Sequence, residues 1–134
     1  MLLIMYNGFK KIRKGKLKKF EYNSNSLGFG LIGLKAIESG ILNLKQIEAS
    51  KQIINKITKH KSKVWVKGSL TVPIFSKPIG VRMGKGKGKF SNFAMRFKAG
   101  SIILELSGSN INLMLKGLLA CKLRLPIDTK ICLK

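Results

Sequence analysis

The chain has 134 residues, and its 27 Lys and Arg against 5 Asp and Glu give a net charge of +22. Such a surplus opposes compaction unless a polyanion is bound, yet a hydrophobic content of 45% is too high for a disordered basic tail. Two cysteines and one histidine exclude a disulfide framework and a zinc site of four such ligands. With so few acids, no catalytic set can be assembled, so we expect no enzyme, no cofactor and no metal.

The N-terminal segment, residues 1–26, is predicted to be a basic arm that becomes ordered on nucleic acid. Its apolar start precedes its charges, which is the reverse of a secretory signal, and its cations are mostly Lys, unlike those of an organellar presequence. The excess of 23 Lys over 4 Arg suggests an A/T-rich genome and therefore an organelle-encoded protein. The longest uncharged stretch, Tyr22–Leu34, is shorter than the roughly 20 apolar residues of a membrane helix.

Residues 27–134 are predicted to form one domain, which begins with a strand and a helix. Alternating apolar residues predict a glycine-weakened strand over Leu27–Ile37. A capping-box pattern, in which Asn43 is followed three residues later by Gln46, predicts a helix over Leu44–His60. The apolar face of that helix is formed by Leu44, Ile47, Ile54 and Ile57.

Four further β-prone runs follow this helix. Val64–Val66 and Leu70–Phe75 are predicted strands, and Pro73 places the second at a sheet edge. Phe90–Phe97 and Ser101–Leu106 are predicted to pair with each other as a hairpin.

The C-terminal part is predicted to hold a second helix and a last strand. The helix is predicted over Ile111–Leu123, because Pro126 prevents its continuation, and Ile127–Leu133 is the predicted strand. The apolar stripe of the helix consists of residues 111, 114, 115, 118 and 119. Together these elements predict the α+β class, with two helices packed on an antiparallel sheet.

The segment Gly28-Phe29-Gly30-Leu31-Ile32-Gly33 matches the dinucleotide-binding pattern G-x-G-x-x-G. That pattern requires a strand before it and a helix after it, and here a polar stretch precedes it and too few residues follow it. We therefore favour a glycine-rich strand that another backbone, or RNA, approaches closely. A nucleotide-using enzyme is the weaker interpretation.

A long Lys/Gly loop, residues 77–89, is predicted to protrude between strands. Its glycines let the backbone come close to a phosphate, while its Lys and Arg supply point charges and a guanidinium fork. The Gly-Lys-Ser/Thr step of a Walker loop is missing. A nucleic-acid contact is thus favoured over a solvated linker. Trp65, by contrast, is interpreted as a core residue more readily than as a stacking surface for bases. Phe90, Phe93 and Phe97 are likewise interpreted as core or β-face residues.

The loop motif Arg82–Gly88, followed five residues later by Phe93, resembles the signature of the universal large-subunit ribosomal protein sixteen family, of bacterial and organellar type. Lys63-Val64-Trp65-Val66-Lys67 resembles the second signature of that family. Four other segments match it in register, so that the resemblance covers nearly the whole chain: residues 9–15, Gly33–Ala36, Gln46–Ala49 and Lys122–Ile127. The sequence departs from the family pattern at Gly68, over Thr71–Phe75, and in its Lys-rich second helix.

The resemblance implies a structural component of the large ribosomal subunit that binds large-subunit rRNA and supports A-site tRNA near the peptidyl-transferase centre. The implied partners are this rRNA, A-site tRNA and neighbouring ribosomal proteins, with no membrane and no small-molecule substrate. The residues expected to bind rRNA are Lys10, Lys11, Arg13, Lys14, Lys16, Lys18, Lys19, Lys35, Lys63 and Lys67. The residues expected in the tRNA-facing loop are Arg82, Met83, Gly84, Lys85, Gly86, Lys87, Gly88 and Lys89.

Two questions stay open at the level of sequence. The composition favours a mitochondrial location, with a plastid or the bacterial cytoplasm as alternatives. The alternative function is a free-standing basic protein that binds nucleic acid or an anionic membrane surface, for which the helix Leu44–His60 offers an amphipathic face.

Overall fold

The structure is a computed structural model and describes residues 15, 17, 19–84, 86–108 and 110–134. Most of the predicted basic arm lies outside the described residues. Seven strands and two helices are present in that part, which confirms the α+β class. Their bounds are β1 Ile32–Ala36, β2 Gly40–Asn43, α1 Leu44–Ile57, β3 Lys63–Val66, β4 Val72–Ser76, β5 Lys89–Phe97, β6 Ile102–Ser107, α2 Ile111–Lys122 and β7 Thr129–Leu133.

The strands form two antiparallel sheets. The four-stranded sheet has the order β3-β6-β1-β7, and the three-stranded sheet has the order β2-β5-β4. The predicted pairing of Phe90–Phe97 with Ser101–Leu106 is therefore wrong, because β5 and β6 belong to different sheets. The reason lies at Gly100, whose positive φ of 89° turns its N–H towards the carbonyl of Ala36, at 2.8 Å. The chain after Gly100 thus continues along β1 and not back along β5.

The predicted first strand and first helix are both shorter in the structure. β1 begins at Ile32 and not at Leu27. α1 ends at Ile57 and not at His60, since Lys59 and His60 have positive φ values of 50° and 58°. The predicted capping box is present at the start of α1, where the N–H of Asn43 donates to Oε1 of Gln46 at 2.9 Å. β2 was not predicted, because four residues show too little periodicity.

The hydrophobic core is formed by the two helices and by strands of both sheets, including Leu42 of β2 and Met95 and Phe97 of β5. Strand residues such as Leu34, Leu104 and Leu106 and helix residues such as Ile54 and Leu118 form one buried cluster. The predicted stripe of α2 is partly wrong, because Ile111 and Leu119 are each 55% exposed. The buried positions of α2 are Met114, Gly117, Leu118 and Cys121. Neither helix of the described residues is long and apolar enough to span a membrane.

Candidate nucleic-acid interface

The Lys/Gly loop connects β4 and β5, which pair as a hairpin. Three aromatic rings pack at its base: the centroids of Phe75 and Phe90 are 6.2 Å apart, and those of Phe90 and Phe93 are 4.9 Å apart. Nζ of Lys77 donates to the carbonyl of Gly84 across the loop. The loop is therefore held at its base while its outer part stands in solvent, where Met83 is fully exposed.

The glycines of this loop have conformations that other residues rarely adopt. Gly80, Gly84 and Gly86 have φ values of 88°, 100° and 80°, and no atom lies within 4 Å of a Cβ built on any of them. Their role is thus conformational, since open space surrounds them. Because they carry no side chains, the loop backbone can approach a phosphate closely.

The cations of the loop differ in how they are held. Arg82 is exposed. Nζ of Lys87 lies 4.7 Å from the ring centroid of Phe75, and Lys89 is the first residue of β5, opposite Ser76. Lys85 lies outside the described residues. The loop can therefore present the guanidinium of Arg82 and the ammonium groups of Lys87 and Lys89 to an anion, since all three residues are exposed.

The other residues expected to bind rRNA are spread over the surface. Lys19 is exposed, and Lys35 is half-buried on β1, opposite Lys130 of β7. Lys63 is the first residue of β3, and Lys67 follows its last residue. Six expected residues of the arm lie outside the described part: Lys10, Lys11, Arg13, Lys14, Lys16 and Lys18.

Lys63 and Lys67 flank a stacked aromatic pair. The rings of Phe29 and Trp65 have centroids 6.1 Å apart and planes inclined by 24°. Nζ of Lys63 lies 5.1 Å from the Trp65 ring, and Nζ of Lys67 lies 4.8 Å from the Phe29 ring. Trp65 is half-buried and does not belong to the buried core cluster, so its interpretation as a core residue is wrong. Alternation along β3 is the signal that could have shown this, since it separates residues 63, 65 and 67 from the core-facing Val64 and Val66.

The glycine-rich segment before β1 wraps around a buried carboxylate. Glu105 of β6 is fully buried and accepts hydrogen bonds from the backbone N–H groups of Gly28, Phe29 and Gly30, at 3.2, 2.7 and 2.8 Å. Nζ of Lys67 is 3.5 Å from Oε1 of the same carboxylate. Successive N–H groups of this kind can bind an anion, but here the anion is supplied by the chain itself.

Close packing explains the glycines of this segment. A Cβ on Gly30 would lie 2.8 Å from the backbone N of Leu106, and a Cβ on Gly33 would meet the side chain of Leu27. The prediction of a glycine-rich segment that another backbone approaches is confirmed, although the segment before Ile32 is not a strand. With its N–H groups bound to Glu105, it offers no site for a dinucleotide phosphate.

Glu105 remains ionised despite its burial. Burial alone would raise the pKa of this carboxyl, but the three N–H donors and Lys67 together hold the pKa below its ordinary value of 4.5. Sequence reasoning did not single out Glu105. Its position as the one acid inside an apolar strand was the available signal.

The potential metal ligands and acids of the described residues are scattered or already bonded. No group of three or more potential metal ligands occurs among them, and the one strongly buried acid is committed to the backbone. This small α+β domain, with exposed cations on a loop and around an aromatic pair, belongs to the class of basic proteins whose surface suits an anionic partner.

A comparison with family models identifies the family. The model described as ribosomal protein L16p/L10e matches residues 7–132. The chain therefore belongs to this family, as the sequence resemblance indicates. It is a structural protein of the large ribosomal subunit and not an enzyme, and its partners are ribosomal RNA and ribosomal proteins.

Proposed function

We propose that the chain binds large-subunit rRNA and that its loop, residues 77–89, helps to position A-site tRNA near the peptidyl-transferase centre. The observation that carries this proposal is the loop itself. Its cations Arg82, Lys87 and Lys89 are exposed, its glycines let the backbone come close to an anion, and aromatic packing fixes its base. A loop of this kind can bind a phosphate backbone, because each contact is electrostatic and needs no base-specific partner.

The tRNA role is tested by removing charge from the loop. Lys85 and Lys87 are both changed to Ala in ribosomes that carry this chain. Two exposed cation–phosphate contacts together contribute on the order of 0.5–2 kcal/mol, so A-site tRNA affinity should fall roughly two- to thirtyfold. The measurement is tRNA binding to the A site at subsaturating concentration.

A matched control separates this effect from a general loss of charge. Lys45 and Lys51 are exposed on α1, and changing both to Ala removes the same charge away from the loop. This control should leave A-site affinity unchanged. Equal tRNA binding by the loop variant and the unmodified ribosome would refute the tRNA role.

The rRNA role is proposed for the arm cations together with Lys35, Lys63 and Lys67. Each neutralised phosphate releases counterions, so log K should fall by roughly 0.7–0.9 per contact for each tenfold rise in salt. The net charge of +22 allows about ten phosphate contacts. A plot of log K against the logarithm of the salt concentration should then have a slope near −7 to −9. We expect the chain to stay with the large subunit through moderate-salt washes. Recovery only in the ribosome-free fraction would refute the proposal.

We also propose that the ribosome concerned is mitochondrial. Support comes from the excess of 23 Lys over 4 Arg, which suggests an A/T-rich genome. A plastid or bacterial ribosome is the alternative, and recovery of the chain in large subunits from purified mitochondria distinguishes between them. Family membership leaves the free-standing membrane- or nucleic-acid-binding alternative without support.

A further inference from the structure

The stacked pair of Phe29 and Trp65 exposes aromatic surface that the domain does not cover. Phe29 is 67% exposed, although it is one of the large apolar side chains. Trp65 lies on β3, which is an edge strand of the four-stranded sheet. The pair therefore sits on the sheet face that points away from the core, next to a strand edge.

Contacts within the domain fix the backbone that carries each ring. The N–H of Phe29 donates to Oε2 of Glu105 at 2.7 Å, which fixes the backbone that carries the ring. Trp65 is directly opposite Glu105 in the β3–β6 register, and its neighbours Val64 and Val66 pack against the core. Because the hydrogen bond to Glu105 fixes the backbone of Phe29 and strand pairing fixes that of Trp65, the rings need little ordering when a ligand binds.

The surroundings of the pair indicate the chemistry of its ligand. Lys63 and Lys67 hold their ammonium groups 5.1 and 4.8 Å from the two ring centroids. Lys63 is exposed, and its flexible stem can carry its charge from the ring face to a nearby phosphate. Nζ of Lys67 is 3.5 Å from Oε1 of Glu105, so Lys67 keeps that ion pair while it faces the Phe29 ring. A planar apolar group with a negative charge beside it would thus gain stacking and ion pairing together.

We propose that Phe29 and Trp65 form a stacking platform for an unpaired base of rRNA, with Lys63 binding a flanking phosphate. This inference rests on the proposed rRNA-binding function and adds a mode of recognition to it. Unpaired bases stack on aromatic side chains in protein–RNA complexes, and the basic chain has the charge to hold the strand there. The platform would select single-stranded or bulged RNA over a continuous duplex.

The sole tryptophan of the chain allows a direct test. The full chain is titrated with a single-stranded oligoadenylate of about eight nucleotides, a length within the range of single-strand sites. An abasic oligomer of the same length is titrated in parallel, because it keeps the phosphates and lacks the bases. We expect the oligoadenylate to quench Trp65 fluorescence and to bind roughly five- to a hundredfold more tightly than the abasic oligomer, as one or more stacked bases would require.

Two variants of Phe29 separate stacking from apolar bulk. Phe29→Leu keeps the bulk and removes the aromatic face, so it should lose most of the preference for the oligoadenylate. Phe29→Tyr keeps the face and should retain the preference. Tyr22→Leu is the matched control, since Tyr22 is 80% exposed and pairs with Phe20 instead of with Trp65. Thermal unfolding of each variant verifies that it is folded.

Equal affinity for the two oligomers, or unchanged preference in a folded Phe29→Leu variant, would overturn the platform. If the chain still remained with the large subunit in salt washes, the proposed rRNA binding would stand and only the stacking role would fail. If the chain bound neither oligomer nor the subunit, the proposed function would fail as well.

Discussion

Glu105 provides the sharpest test of how the fold is held together. In a Glu105→Ala variant, the N–H groups of Phe29 and Gly30 lose acceptors at 2.7 and 2.8 Å, and Lys67 loses its partner. A hydrogen bond to a charged group contributes about 1.5–3 kcal/mol. Counting only these two short bonds, near the lower end of that range, gives a loss of about 3–4 kcal/mol. For a domain of this size the melting temperature should fall by about 10–15 °C.

The assay is urea unfolding followed by circular dichroism, with Trp65 fluorescence as a local probe of the same sheet. Glu48→Ala is the control, because Glu48 is exposed on α1 and its removal should change the free energy of unfolding by less than about 0.5 kcal/mol. A loss below about 1 kcal/mol for Glu105→Ala would show that the carboxylate does not organise the glycine-rich segment.

Three further predictions concern the same region and the helix pair. The lowered pKa of Glu105 means that its contribution to stability is full above about pH 4.5 and is lost as the pH falls through the lower folded-state pKa. Unfolding free energies measured between about pH 6 and 3 should therefore fall less steeply for Glu105→Gln than for the unmodified chain; parallel curves would contradict this. Gly30→Ala should cost about 1–3 kcal/mol, because its Cβ would meet the backbone of Leu106 at 2.8 Å. Gly117→Ala should instead stabilise α2 by up to about 1 kcal/mol, because its Cβ would find Ile54 at an ordinary 3.7 Å; the opposite order of melting temperatures would refute the packing argument.

Features that depend on neighbouring residues were predictable from the sequence. The capping box at Asn43 and Gln46 and the stop at Pro126 are local, so the start of α1 and the end of α2 were predicted within one residue. The loop between β4 and β5 was also predictable, because glycines and cations alternate at consecutive positions of the sequence.

Features that depend on distant residues were not predictable in the same way. β6 pairs with β1 in a long-range antiparallel register, and nothing within Phe90–Leu106 reveals this partner. The N–H of Gly28 donates to Glu105, 77 positions later in the sequence. The glycine motif that resembles a nucleotide-binding site therefore binds a carboxylate of its own chain. The aromatic pair of Phe29 and Trp65 arises from that same long-range contact.

The central proposal is that this member of the ribosomal protein L16p/L10e family presents its basic loop to A-site tRNA. A structure of the large subunit with this chain and a bound A-site tRNA tests it most directly. We predict that cations and backbone N–H groups of residues 82–88 lie within about 3.5 Å of tRNA phosphate oxygens. A loop that points into solvent, or contacts only protein while A-site tRNA is bound, would contradict the proposal.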